Sequence, residues 1–439
     1  MKHLITLVFC AGLGAGQALA ADPVSFDQRG GQLPKISPQM TSESSSAKGG
    51  KAQWTVMVYI NGKNDLEPYA VKNIKQMEMV GSTNKVKIAV ELGRTGRYDP
   101  SDTDSMGLHR YIISRDKENN HNKIFSPPLQ SIPLRDAENQ PNPAADMGKA
   151  ENLVDFVAWA KKAAPAQHYM LIVWNHGSGW LKNMHKQKDG DMATNGISYD
   201  EETGHHINTV DLGQALAQIG KLDIYASDAC LMQMIEVDYQ LKDSADYFVQ
   251  SEETEPGDGY TYNTLLAPLV KNPSMSAAEL ATRAVNSYAD HYDASREGAT
   301  QSAVRASALP RLMALLNAWT AAILADKDRQ APRVQAARAE AQRFYVGDNK
   351  DLLDFVQRVG GFENPNETVR DLGYLIKEHI SGEVVLANRP SGENYQHASG
   401  LAVYLPDRGY NADYDELAWT QSIPNWKDFL LWLNPPQNP

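Results

Sequence analysis

A chain of 439 residues with 54 acidic and 42 basic side chains carries a formal net charge of −12. That balance argues against a nucleic-acid partner, which wants a basic stripe, and the length suffices for a large core and more than one folding unit. The chain has two cysteines, Cys10 and Cys230, so it lacks the density of a disulfide-stapled scaffold.

The chain opens with Lys2 and His3, an apolar stretch over residues 4–14, and the small residues Ala18 and Ala20 before Ala21. This is the pattern of a signal peptide over residues 1–20, and it predicts export to the periplasm or the medium. Removal of that segment leaves Cys230 as the one thiol. The apolar stretch is shorter than the roughly 20 residues a membrane span needs, and no later stretch is expected to span. Residues 21–53 are polar and broken by Pro23, Pro34 and Pro38, and read as a flexible linker or pro-segment with too little apolar surface to order itself.

From residue 54 the texture changes. Short apolar runs at 54–60 (WTVMVYI), 86–92 (VKIAVEL), 169–174 (YMLIVW), 222–226 (LDIYA) and 247–250 (YFVQ) are what a sheet buried on both faces requires. Helical spacing separates them at 65–79, 149–163, 209–219 and 231–241. In the second of these, Leu153, Phe156, Val157 and Ala160 share a face, and Asp146 is a candidate N-cap. Alternating strands and helices predict an α/β catalytic domain over residues 54–269, its sheet mostly parallel and its sites at the carboxyl ends of the strands. Beyond it, helical stretches at 277–292, 309–324, 331–344 and 351–359 accompany strand candidates at 383–387 and 400–405. Residues 270–439 therefore read as a mainly helical C-terminal unit that contributes strands.

Two of the apolar runs end in reactive residues. His176 follows YMLIVWN and precedes Gly177-Ser178-Gly179, whose glycines let backbone N–H groups approach a ligand. Cys230 ends the run LDIYASDA and precedes a helix expected from Leu231, whose positive end would lower the thiol pKa. A histidine in reach of a thiolate supplies the base and then the acid of acyl transfer. The bland readings are a small buried hydrophobe for Cys230 and a hydrogen-bonded turn residue for His176.

At this point the sequence resembles the clostripain family of cysteine peptidases, of the caspase and gingipain clan. The likeness is carried by DMGKAENLVDFVAWA (146–160), YMLIVWNHGSGW (169–180), GISYDE (196–201), SDACLMQMIEV (227–237) and SEETEPGDGY (251–260). The resemblance implies a caspase-like three-layer sandwich and a secreted endopeptidase in which His176 is the acid/base and Cys230 the nucleophile. It implies an oxyanion site at the backbone N–H groups of Gly177 and Cys230. It places Asp228 and Asp258 in the pocket for an Arg or Lys side chain, which a carboxylate pairs strongly and directionally. An N-cap is the bland alternative for Asp228.

Such proteins are often activated by self-cleavage between histidine and cysteine, and the polar, basic segment 181–195 suits an exposed cut, with Lys182, Lys186 and Lys188 as candidates. The chemistry requires no cofactor. The acidic runs SDTD (101–104) and DEET (200–203) are candidate calcium ligands without the spacing of a known calcium loop. The adjacent His205 and His206 lack a cysteine partner for zinc, so no metal site is assigned. The expected partners are polypeptides containing Arg or Lys, and the expected state is a monomer. Two alternatives share these residues: an inactive caspase-like binding or adhesion module, and a cysteine-dependent transpeptidase in which an amine takes the place of water.

Overall fold

The computed structural model describes residues 51–118, 123–181 and 196–435. The expected signal peptide, nearly all of the expected linker or pro-segment, and the candidate cut sites Lys182, Lys186 and Lys188 lie outside the described residues. In chain order the first elements are β1 (Ala52–Gly62), α1 (Glu67–Val80), β2 (Val86–Arg94), β3 (Gly107–Ile112), β4 (Gln130–Ile132), α2 (Ala150–Ala163) and β5 (Ala166–Trp174). A hairpin follows, β6 (Ile197–Asp200) and β7 (His205–Ile207), then α3 (Thr209–Ile219), β8 (Leu222–Asp228), α4 (Ile235–Leu241) and β9 (Ala245–Gln250). The remainder comprises α5 (Tyr262–Lys271), α6 (Ala277–Ser295), β10 (Ser302–Arg305), α7 (Leu309–Ala325), α8 (Lys327–Glu340), β11 (Asn349–Asp351), α9 (Leu352–Gly360) and α10 (Glu367–His379). It closes with β12 (Val385–Asn388), β13 (Ala402–Tyr404), α11 (Ala418–Ser422) and α12 (Pro424–Leu433).

Nine strands form one sheet in the order β12-β10-β9-β8-β5-β1-β2-β3-β4. The five central strands run parallel. Antiparallel strands flank them on both sides. Period-two alternation along β1 assigns its side chains to two cores. Val56, Val58 and Ile60 pack with Ile74, Leu266 and Val285 on one face, and Met57 and Tyr59 pack with Phe156, Leu212 and Ile235 on the other. Helices α1, α5 and α6 thus cover one face, and α2, α3 and α4 the other. Each such fully buried side chain contributes about 1.5–3 kcal/mol, which is why the five runs read from sequence are the five central strands.

The second core continues without a break into the C-terminal half, through Leu309, Trp319, Phe355, Trp426 and Phe429. Of the two strand candidates there, 383–387 does extend the main sheet as β12. The other, 400–405, becomes β13, which pairs with β11 in a separate ribbon. An unforeseen strand, β10, lies between β9 and β12, and four residues are too few to show a period.

One helix bears on the expectation that no later stretch spans a membrane, and one expectation at the thiol is corrected. Residues 306–325 are long and apolar enough to cross a membrane by length and composition. Here Leu309, Leu312, Leu316, Trp319 and Ile323 are buried in the protein, and Trp319 Nε1 donates to the Val369 carbonyl at 3.2 Å. The helix after Cys230 starts at Ile235, not Leu231. Leu231 takes a left-handed φ of 64° and donates its N–H to the Glu253 carbonyl, while Gln233 donates to Ser251. Backbone partners outside the helix hold the segment after Cys230, so no helix end lies at the thiol.

Candidate active site

Strands β5 and β8 are neighbours, and Trp174 pairs in register with Asp228. The Asn175 N–H donates to the Asp228 carbonyl at 3.2 Å, extending the pairing past the strand ends. His176 and Cys230 each lie two residues beyond a register partner, so both loops leave the sheet together. Both residues are buried, each 3% exposed.

The loops touch through glycines. A Cβ on Gly177 would sit 2.3 Å from the Cys230 carbonyl oxygen, and one on Gly179 would meet Met234 Sδ at 2.5 Å. Only glycine permits this approach, and it brings the two backbone segments assigned to the oxyanion site side by side. Asn175 braces the histidine loop, its Nδ2 donating to the Asn61 carbonyl at 2.6 Å and its Oδ1 accepting from the Tyr199 N–H at 2.7 Å.

The imidazole has a partner that the sequence reading missed. His176 Nε2 lies 2.7 Å from Asp65 Oδ1. Burial pushes the Asp65 carboxyl up, but the hydrogen bond from His176 and its charge outweigh that and hold it below the usual carboxylate range. Asp65 had read as the first residue of a helix, whereas α1 starts at Glu67 with a proline in its first turn. The available signal was position: a carboxylate just past the carboxyl end of β1, next to β5 in the sheet.

Around Cys230 the donor is backbone. The Glu255 N–H points at Cys230 Sγ at 3.3 Å, and a donor to sulfur favours the thiolate. The Glu255 side chain, also missed in the sequence, is buried against Asp228. Burial first, and then Asp228 and Cys230, push its carboxyl well above the usual range.

Asp228 closes β8 and caps no helix. Its Oδ1 accepts from the Tyr260 N–H at 3.0 Å and its Oδ2 from the Tyr262 hydroxyl at 2.8 Å. Burial raises its pKa to about 6 against these hydrogen bonds. Gly259, with a φ of 57°, presses on the carboxylate, since a Cβ there would lie 2.5 Å from Asp228 Oδ1. Asp258 therefore neighbours Asp228 in the chain path, but its own carboxylate meets Lys72 Nζ at 2.6 Å and His291 at 3.7 Å.

The other candidate residues are engaged within the chain. Asp104 pairs with Lys123, Asp200 with Lys63, and Glu202 with Lys63 and Arg135. Asp146 is not the N-cap of α2; its carboxylate binds Thr203 and His205. Among the described residues no group of three or more His, Cys, Asp or Glu is placed to hold a metal ion.

The C-terminal half reaches the same site. Trp180, which ends the His176 loop, packs edge-on against Tyr404 and Tyr414 at 4.8 Å each. The Ala402 N–H donates to the Gln233 carbonyl at 3.0 Å. Buried Glu236 on α4 accepts from the Tyr404 N–H at 2.9 Å and the Tyr414 hydroxyl at 2.6 Å.

Comparison with known proteins agrees with this architecture. Clostripain from Hathewaya histolytica is 27% identical over 245 residues, covering 52% of this chain and 44% of that protein, so the match spans less than half of that relative. An inactive zymogen C11 protease from Parabacteroides distasonis has a TM-score of 0.59 at 20% identity, over 85% of this chain and 99% of its own. A secreted C11 cysteine protease from Bacteroides thetaiotaomicron, in complex with an irreversible peptide inhibitor, has a TM-score of 0.60 at 19% identity, over 87% of this chain and 99% of its own. These two structures share the sandwich fold. The clostripain family model matches residues 58–432. Because that match runs from β1 to α12 and takes in both strand ends of the site, the chain belongs to the clostripain family of cysteine peptidases.

Proposed function

We propose that the protein is an exported cysteine endopeptidase that cleaves after Arg or Lys. The observation that carries this reading is the Trp174–Asp228 register pair, which sets His176 and Cys230 on adjoining loops with the Gly177 backbone against the Cys230 carbonyl. His176 takes the thiol proton, and the Cys230 sulfur attacks the peptide carbonyl carbon. The resulting oxyanion lies at the Gly177 and Cys230 N–H groups. The C–N bond then breaks, the amine leaves with the proton from His176, and a thioester remains. Water, deprotonated by the same imidazole, hydrolyses the thioester and regenerates the thiol. The chemistry needs no cofactor.

Asp228 and Asp258 supply the negative charge for a basic side chain. The signal pattern and the secreted Bacteroides relative support export. The zymogen relative supports an inactive precursor, and the polar, basic segment 181–195 is where activating self-cleavage would fall.

The test is to treat the processed protein with an arginyl electrophile and map the adduct, alongside cleavage of a short arginyl peptide. Labelling at Cys230, with cleavage lost in Cys230→Ala and in His176→Ala, is the expected result. Full activity in either variant, or an adduct elsewhere, overturns the reading.

A further inference from the structure

We propose that Asp65 is the positioning residue of the catalytic pair, holding the His176 ring so that Nδ1 is the nitrogen presented to Cys230. This deepens the peptidase reading and rests on it. The imidazole has two nitrogens, and Asp65 occupies Nε2 at 2.7 Å. An ionised carboxylate only accepts hydrogen bonds, so Nε2 carries the hydrogen and Nδ1 keeps the lone pair that receives the thiol proton. When the ring becomes an imidazolium, the same carboxylate stabilises the charge.

The contact is built into the fold. Asp65 sits on a turn in which Asn64 Oδ1 accepts from the Leu66 N–H at 3.0 Å and Asn64 Nδ2 donates to the Tyr199 carbonyl at 2.7 Å. On one side of that turn, the buried Lys63 ammonium binds Asp200 and the Ala145 carbonyl, both at 2.8 Å. On the other, Glu67 accepts from the Gly96 N–H at 2.7 Å and the Tyr98 N–H at 3.0 Å. The carboxylate itself remains 21% exposed beside a ring that is 3% exposed, so it approaches from the rim while the ring faces inward. Other titratable groups surround the pair. Tyr98, Tyr199 and Glu201 lie on the Asp65 side, and Glu255 and Asp228 on the Cys230 side.

The experiment compares wild type, Asp65→Asn, Asp65→Ala and Asp65→Glu in the full processed chain. Two readouts are used: kcat and KM for an arginyl peptide across pH, and the rate of Cys230 alkylation by iodoacetamide across pH. Thermal melts confirm folding. In Asp65→Asn, kcat is expected to fall roughly 10²-fold with KM within about twofold, since the loss is confined to the reacting groups. The limb of both pH profiles that reports the imidazole should move to lower pH, because the imidazolium has lost its counter-charge. Asp65→Glu should restore much of the rate and the position of that limb, and Asp65→Ala should behave as Asp65→Asn. A merely structural role would lower activity without moving the limb. Asp65→Asn with a wild-type rate and an unmoved limb overturns the proposal. If wild type fails to cleave the peptide, the peptidase reading fails, and the alkylation profile still decides the role of Asp65.

Discussion

Trp174 and Asp228 face each other across β5 and β8, and that register places the histidine loop against the cysteine loop. The closest backbone approach that follows from it is at Gly177. Replacing Gly177 with Ala puts a methyl 2.3 Å from the Cys230 carbonyl, so backbone must move. Under the proposed mechanism Gly177 supplies an oxyanion donor, and displacing such a donor costs roughly 10²–10³ in rate, so kcat for an arginyl peptide should fall by that order while the protein remains folded. Steady-state kinetics beside a thermal melt check this, and a kcat within a few-fold of wild type contradicts it.

Asp228→Asn separates specificity from stability. Burial raises the Asp228 pKa to about 6, well above an unfolded carboxylate. Its stabilising effect is therefore complete below about pH 4 and is lost as the pH rises through 6. Removing the charge should leave the fold at pH 8 as stable as wild type or more so, while kcat/KM for arginyl and lysyl peptides drops at least about tenfold. Melts at pH 5 and 8 with the same peptides provide the measurement. Unchanged preference for basic residues shifts the pocket away from Asp228.

Lys72 holds Asp258 in an ion pair whose side chains are 48% and 34% exposed. A pair this open is worth about 0.2–1 kcal/mol, so Lys72→Ala should leave the melting temperature nearly unchanged. If Asp258 serves the basic side chain of the substrate, freeing it should lower KM for lysyl and arginyl peptides by up to about fivefold. A raised KM would place Lys72, and not Asp258, among the groups that favour substrate binding.

Several buried carboxyls impose a pH dependence on the whole molecule. Burial lifts Asp228 and Asp351 to about 6, and Glu91 and Glu236 to about 7. Each binds its proton more tightly in the folded state, so its contribution is full near pH 4 and disappears as the pH passes 6 to 7. Carboxyls held low, such as Asp65, act in the opposite direction only on stronger acidification. The melting temperature should fall by several degrees between pH 5 and pH 8. A rise over that interval would show that these carboxyls are not protonated in the native state.

Self-cleavage is tested by mass. Wild-type protein should yield a fragment beginning within 183–195, Cys230→Ala should stay intact, and Lys182→Ala, Lys186→Ala and Lys188→Ala should identify the bond. An intact wild-type chain with full activity removes processing from the scheme.

The five central strands were legible because burial on both sheet faces leaves continuous apolar runs, and the placement of His176 and Cys230 on adjoining loops followed from their positions just past two of those runs. Short edge strands such as β10 escaped notice, since four residues carry no usable period. The segment after Cys230 misled for a related reason: Leu231 to Met234 fit a helical pattern locally, but backbone bonds to Ser251, Glu253 and Ala402 claim it instead. Asp65 and Glu255 became visible only in three dimensions. Each reaches its partner across 111 or 25 residues of chain, and strand order, which no local pattern encodes, determines that proximity. Local composition thus fixes where strands end and which side chains stand there, while the packing of the sheet decides which of those ends meet.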